Sequence, residues 1–422
     1  MTPRPAVSLV PAAVFLVLAS ACGGASPPRA TTPMIDVSDA RFFADASNAT
    51  GLDIYRQLAA GDGNLAMSPA SISTALAMTY AGARGETAMV MSRGLHLHAT
   101  PDEATRLAGA AVQAFNDPSR TAYELSVANR LFGDRSYRFE PAFVRRTGEA
   151  FGAELQVVDF GASEEARGTI NSWVSDRTHQ RIDELLPEGS VDGDTRLVLV
   201  NAVYFHGRWA QPFDAEATYD APFHTAASDV SAPTMHRLGG RYGEDQNTGR
   251  DVQLYALPYA ASEDGHDAMS MLFVLPRSAE DLPAIEQSLD ADVVSRWAAA
   301  THENDQIQVA LPRFRMEIDA FSLRPALIAL GMGPIFEANA DFSGMSPEGE
   351  QPIYVSDVFH QVFVELNEEG TEAAAATAVV MTIESVAITE PPRFTADHPF
   401  LFFLRDDTTG AILFAGRVAR PT

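Results

Sequence analysis

The chain predicts an α+β fold with large mixed sheets. Three observations lead there. Period-two runs and helical repeats are interspersed along the chain rather than segregated. Residues 197–205 are almost unbroken apolar, as a strand covered on both faces requires. No repeat, low-complexity tract or internal linker divides residues 38–420, so one large domain, taken as 38–422, is the simplest organisation.

Each element follows from its local pattern. Residues 1–21 carry one charge, Arg4, and an apolar stretch from Val10 to Leu18 that is too short to span a bilayer, which reads as a signal peptide. Its ending resembles a bacterial lipoprotein signal, in which Cys22 would be lipidated; Ala19-Ser20-Ala21 is also an acceptable site for ordinary signal peptidase, so a cell-surface or outer-membrane lipoprotein and a freely secreted protein both stay open. Residues 22–37, rich in Gly, Pro, Ser and Thr, read as a flexible tether. Ser68-Pro69 is a helix cap followed by proline at the first helical position, and Ile72, Leu76 and Tyr80 recur at four-residue spacing until Gly82, predicting a core-facing helix. From 123 to 131, Tyr123, Leu125, Val127 and Leu131 alternate with Glu124, Ser126 and Arg130, a half-buried strand. The apolar run 197–205 holds Asn201 in its middle. Residues 355–366 alternate again, with Val358, His360, Val362, Val364 and Leu366 on one face.

Composition removes whole classes of chemistry. All 30 positive charges are arginine, because the 422 residues include no lysine; a P-loop, a Schiff-base enzyme and a protein kinase each need one. Cys22 is the single cysteine, leaving the folded part without a thiol nucleophile, a disulfide or a Cys-ligated metal. A net charge of −26 opposes a phosphate-binding groove, so nucleic acid is not expected as a partner, and the charge reads as solubility. There is no G-x-S-x-G elbow, H-E-x-x-H or G-x-G-x-x-G, which speaks against an enzyme. His96 and His98 are the one close histidine pair, without a third ligand nearby, and read as an exposed loop. No metal or cofactor is expected.

The informative segment is HQVFVELNEEGTEAAAATAVVMTIES at 360–385. By propensity, Thr371 could cap a helix through Glu372 and Ala373, Ala374, Ala375 and Ala376. Against a helix stand the β-branched Thr377, Val379, Val380, Thr382 and Ile383, with a flexible Gly370 at the junction. As a strand, Thr371, Ala373, Ala375, Thr377 and Val379 share one face, and Glu372, Ala374, Ala376 and Ala378 share the other. Such a segment can live as an exposed loop and also be accepted between two existing strands.

This segment resembles the hinge of a serpin, of the inhibitory kind. The resemblance extends over nearly all of residues 38–420, through NLAMSPASISTALAMTYAGARGETA at 64–88, ANRLFG at 128–133, LVNAVYFHGRWAQPF at 199–213, DFSGMS at 341–346 and HPFLFFLRDDTTGAILFAGRVARP at 398–421. It implies the serpin fold of three β-sheets and eight or nine helices, with a reactive-centre loop over about 368–392. It also implies suicide inhibition: a serine protease attacks the loop, forms an acyl-enzyme and is trapped when the cut loop inserts as a new strand of the central sheet. Carried over residue by residue, the hinge is Glu368, Glu369, Gly370, Thr371, Glu372, Ala373, Ala374, Ala375, Ala376 and Thr377. Ser68, Ser71, Asn201 and His360 match the buried polar shutter where the sheet parts, and Trp209 matches the breach at its top. His360 also reads as an ordinary satisfied core residue, and the two readings are compatible.

The attacked bond is placed differently from the two ends of the loop. Counting seventeen residues from Glu368 gives Glu384-Ser385, whereas counting back from Pro391-Pro392 points near Ile388; Ile383 and Met381 are the other candidates. Glu384 would fit a glutamyl-specific serine protease, and Met or Ile a subtilisin-like or elastase-like one; cysteine proteases stay open as targets. The protein is expected to be a monomer that touches a membrane only through an N-terminal lipid. A non-inhibitory serpin-fold binding protein is the alternative, with a secreted hydrolase behind it.

Overall fold

The computed structural model describes residues 37–152, 154–246, 251–263, 265–347, 353–371 and 391–421. Cys22, the signal and the tether up to residue 36 lie outside the described residues, as do Glu372 to Thr377, Met381, Ile383, Glu384, Ser385 and Ile388; Val37, read as the end of the tether, is instead the first residue of the helix Val37–Leu58. Among the described residues there are nine α-helices and three β-sheets, the α+β architecture expected from the interspersed patterns.

The large sheet positions the site. Its order runs Phe314–Ser322, Asp357–Leu366, Leu197–Arg208, Tyr123–Asp134, Gln156–Val158, with the two-residue strand Gly370–Thr371 also paired to Leu197–Arg208. The predicted strands are all present. The one expected over 355–366 begins at Asp357, because the Val355 N–H is taken by the Ile335 carbonyl, and the one expected over 123–131 runs on to Asp134 in register with Leu197–Arg208. The second sheet has seven strands, including Met269–Pro276, Phe400–Asp406 and Ile412–Val418. The third has four, in the order Arg393–Thr395, Gln308–Pro312, Asp229–Leu238, Tyr219–His224.

Alternation along the strands gives the large sheet two different faces. Leu125, Val127, Leu199, Val203, Phe205, Val358, Val362 and Val364 enter the main core with the seven-stranded sheet. On the opposite face Phe132, Val198, Val200 and Phe359 pack with Ile170 and Val174 of the helix Ser163–Arg177, which lies across the lower half of the sheet. The helix predicted from Ser68 forms as Pro69–Tyr80, with Ser68 Oγ accepting from the Ser71 N–H. It is buried along its whole length rather than on the one face expected, since its Ala, Ser and Thr residues let neighbours approach from every side. His96 is exposed and bonds Asp53 at 2.7 Å. Among the described residues no group of three His, Cys, Asp or Glu could hold a metal, and no helix is long and apolar enough to cross a membrane.

Candidate functional site: a parted sheet with a seated hinge

Two parallel neighbours, Leu197–Arg208 and Asp357–Leu366, pair only at one end. Their register runs from Asp357 opposite Val198 to His360 opposite Asn201, and there it stops. Beyond it, Leu197–Arg208 takes Gly370 opposite Arg208 and Thr371 opposite Gly207, antiparallel. A gap one strand wide therefore opens between 202–206 and 361–366, with the first residues of the hinge already in its mouth.

A closed polar cluster sits where the pairing stops. Ser68, Ser71, Asn201 and His360, which sequence reasoning grouped, are all buried and connected. His360 Nε2 accepts from the Ser68 backbone N–H at 3.0 Å, so Nδ1 carries the ring proton and donates to Asn201 Oδ1 at 2.7 Å. Full burial pushes the His360 imidazole down to about 3, so it is neutral at any ordinary pH. The hub that joins the two halves was missed: Asn129 Oδ1 accepts from Ser71 Oγ and from Asn201 Nδ2, each at 3.1 Å. Its signal was available, because Asn129 falls on the inward phase with Tyr123, Leu125, Val127 and Leu131. The Asn129 amide nitrogen is buried with no hydrogen-bond partner among the described residues.

The hinge is held at the other end of the gap. Asn367 and Gly370 close a tight turn, with the Asn367 N–H on the Gly370 carbonyl at 3.0 Å and Asn367 Oδ1 accepting from the N–H groups of Glu369 and Gly370. Trp209 is buried as expected and fixes this turn: its Nε1 donates to the Asn367 carbonyl at 3.0 Å and its backbone N–H to that of Glu369 at 2.8 Å. The Trp209 ring lies 4.4 Å from that of Tyr259, and the Tyr259 hydroxyl is 2.6 Å from Thr371 Oγ1. Burial holds the Tyr259 phenol well above its ordinary value, so it stays protonated. Glu368 is buried beside Thr218 Oγ1 at 2.5 Å and Arg313 Nε at 2.6 Å.

Thr371 does not wait outside the sheet: it is a strand residue with its side chain inside, next to a small cavity lined by Phe205, Val364, Met271, Leu404 and Phe414. The helix that it could cap would lie over Glu372 to Ala376, outside the described residues. Gly370 serves close approach rather than flexibility. A Cβ there would stand 1.9 Å from the Gly207 carbonyl oxygen, a contact that no other residue type permits.

A family model described as Serpin (serine protease inhibitor) matches residues 45–421. The chain belongs to the serpin family. Among curated serpin relatives, the leukocyte elastase inhibitor of Sus scrofa is 40% identical over 89% of this chain and 98% of its own length. That of Homo sapiens is 39% identical over 90% and 99%. Among solved structures, mouse protein-Z dependent protease inhibitor aligns with a TM-score of 0.78 at 25% identity, over 92% of this serpin and all of that chain. Human thyroxine-binding globulin, in complex with thyroxine, aligns with a TM-score of 0.80 at 24% identity, over 91% and 100%, a likeness of fold alone. The serpin fold expected from the sequence is thus the fold of the molecule.

Proposed function

We propose that this serpin inhibits serine proteases by covalent trapping. The observation that carries the reading is the gap between Leu197–Arg208 and Asp357–Leu366, one strand wide, with Gly370–Thr371 seated in its mouth. The protease serine oxygen attacks a carbonyl carbon of the loop, the peptide bond breaks, and the new amine leaves on the C-terminal fragment. An ester then joins protease and serpin. Continuing the strand that Thr371 begins draws the loop, with the protease attached, down the gap before water can cleave that ester.

The energetics favour this course. Each ladder hydrogen bond contributes about 1 kcal/mol net, while ordering a residue costs about 1–2 kcal/mol, so backbone pairing alone does not drive insertion. The drive lies in burying Ala373, Ala375 and Val379 against the core beside Thr371, and in pairing the strand edges that the gap leaves open. Extending the register of Thr371 opposite Gly207 brings Thr377 opposite Asn201, so insertion must break the Asn201–His360 hydrogen bond. The uncut form is kept by kinetics, and that cluster is part of the barrier.

Glu384-Ser385 is the bond proposed for attack by a glutamyl-specific protease. The elastase inhibitors among the relatives add support to an elastase-like target cutting at Met381, Ile383 or Ile388. The protein is proposed to act as a monomer, exported and held at the cell surface by lipid on Cys22, or secreted.

A panel of proteases run on denaturing gels tests the reading. A covalent band that survives boiling in detergent is expected, and mass spectrometry of the released C-terminal peptide identifies the bond. Clean cleavage of the loop with an unharmed protease would instead establish a carrier or binding protein on the same fold.

A further inference from the structure

The helix Ser163–Arg177 meets the large sheet through three side chains whose charges do not balance. Arg130, on the strand Tyr123–Asp134, and Arg177, the last residue of the helix, both approach the Trp173 ring, their guanidinium carbons 4.8 and 6.0 Å from its centre. Arg130 donates to the neutral Gln156 Oε1 at 2.7 Å, and neither guanidinium pairs with a carboxylate among the described residues. The buried arginines elsewhere have their counter-charges: Arg120 stands 3.0 Å from Asp406, and Arg417 2.7 Å from Glu286. Burial first, then Arg177, holds the Arg130 guanidinium below its ordinary value, against the opposing pull of Glu154.

Donors are left over at the same contact. Arg130 Nε and Trp173 Nε1 are buried with no hydrogen-bond partner among the described residues. The other two tryptophans are satisfied, Trp209 Nε1 by the Asn367 carbonyl at 3.0 Å and Trp297 Nε1 by Asp245 Oδ2 at 2.8 Å. Contact with the indole face engages the guanidinium plane and leaves in-plane N–H groups to find acceptors elsewhere. The acceptor that suits these donors carries negative charge and several oxygens. We propose that Arg130, Arg177 and Trp173 Nε1 form a binding site for a tetrahedral oxyanion, a sulfate or phosphate group. Its oxygens take the two guanidiniums and the indole N–H, an arrangement for which the planar fork of arginine is suited. Arg177 is exposed and makes no hydrogen bond with a described residue, so its side chain turns to admit the ion. The helix end does not compete, because the Val174 and Ser175 carbonyls are taken by the N–H groups of Thr178 and Gln180. Glu154, near Arg130, and Asp176, beside Arg177 in the chain, oppose the ion, so a double charge is needed where chloride would not hold. Once bound, the ion ties the helix to Tyr123–Asp134 and, through Gln156, to the edge strand Gln156–Val158. The site stands apart from the inhibitory reading.

Magnetic resonance of the full chain with isotope-labelled tryptophan tests this directly. The chain has three tryptophans, so the indole region holds three signals, and Trp173→Phe identifies one of them. Wild type is titrated near neutral pH with inorganic sulfate and, separately, with inorganic phosphate, sodium chloride keeping the ionic strength constant. Either ion is expected to move the Trp173 signal to saturation while those of Trp209 and Trp297 stay in place, and the ion that saturates at the lower concentration is the group that the site selects. Arg177→Gln, a change at an exposed position, is expected to raise the half-saturating concentration about tenfold or more, the loss of one charge-assisted hydrogen bond. A Trp173 signal that neither ion moves overturns the site. So does a shift of all three signals together, which is a general salt effect, or a half-saturation in Arg177→Gln equal to that of wild type.

Discussion

The hydroxyls of Tyr259 and Thr371 lie 2.6 Å apart in a buried place, which ties the first inward residue of the hinge to the residue that follows the strand Val252–Pro258 of the second sheet before any protease arrives. The intact loop therefore enters the gap from a prepared position. Inhibition depends on how easily the residues after Thr371 follow it, and four predictions probe the parts of this arrangement.

Thr371→Arg puts a guanidinium where only Tyr259 and an apolar cavity wait. A buried charge without a partner costs several kcal/mol. The variant should be cut at the same bond by the same protease, yet as a substrate, with the covalent band lost and the stoichiometry of inhibition greatly raised. Trapping equal to wild type would mean that insertion through this hinge is not the inhibitory step.

Glu368 and Arg313 are unequal partners. The Glu368 side chain is 8% exposed and that of Arg313 44%, so removing the arginine strands a buried carboxylate on Thr218 alone. Arg313→Ala is expected to destabilise the intact protein by about 1–2 kcal/mol, the exposure of Arg313 limiting the loss. Glu368→Gln, which keeps an acceptor for Thr218, should cost less. Chemical denaturation of the two variants gives the order, and a native gel after mild heating should show more polymer for Arg313→Ala.

His360 links stability to acid. Its imidazole is held down to about 3 in the fold, while in the unfolded chain it titrates near 6.5. Below about pH 6.5 the unfolded chain binds a proton that the native protein refuses. The contribution is thus full above that pH and declines as the pH falls toward 3, by at most about 1.4 kcal/mol per unit. Denaturation at pH 7.5 and 5 should show a smaller acid loss in His360→Gln than in wild type. At neutral pH that variant should be less stable by about 1–3 kcal/mol, with Asn201 or Ser68 left unpaired, and should form inserted or polymeric species on mild heating.

Cys22→Ser tests the anchor. Wild type expressed in a bacterium should incorporate labelled fatty acid and sediment with membranes, and the variant should do neither. Unlabelled, soluble wild type with Cys22 at its N-terminus would establish plain secretion.

Much of the site was legible in one dimension because its residues break local patterns. His360 interrupts an apolar face, Asn201 an apolar run, and the four alanines with flanking threonines suit a strand that must slide. Asn129 broke the same kind of pattern on the inward phase of Tyr123–Asp134. It passed unnoticed because an asparagine among apolar neighbours declares its purpose only when its partners Ser71 and Asn201 stand beside it.

The sequence by itself determined the α+β class, the strands on either side of the gap and the family, since these rest on periodicity and long ordered motifs. Tertiary structure alone decided that Thr371 is already inside and that Tyr259, Arg313 and Thr218 hold the residues around it. Those partners lie 112, 55 and 150 residues from their targets, and no local propensity encodes a contact across such distances. Where pairing between two strands stops is set by the balance of both faces of the sheet against the layers that cover them, a balance that exists only once the chain is folded.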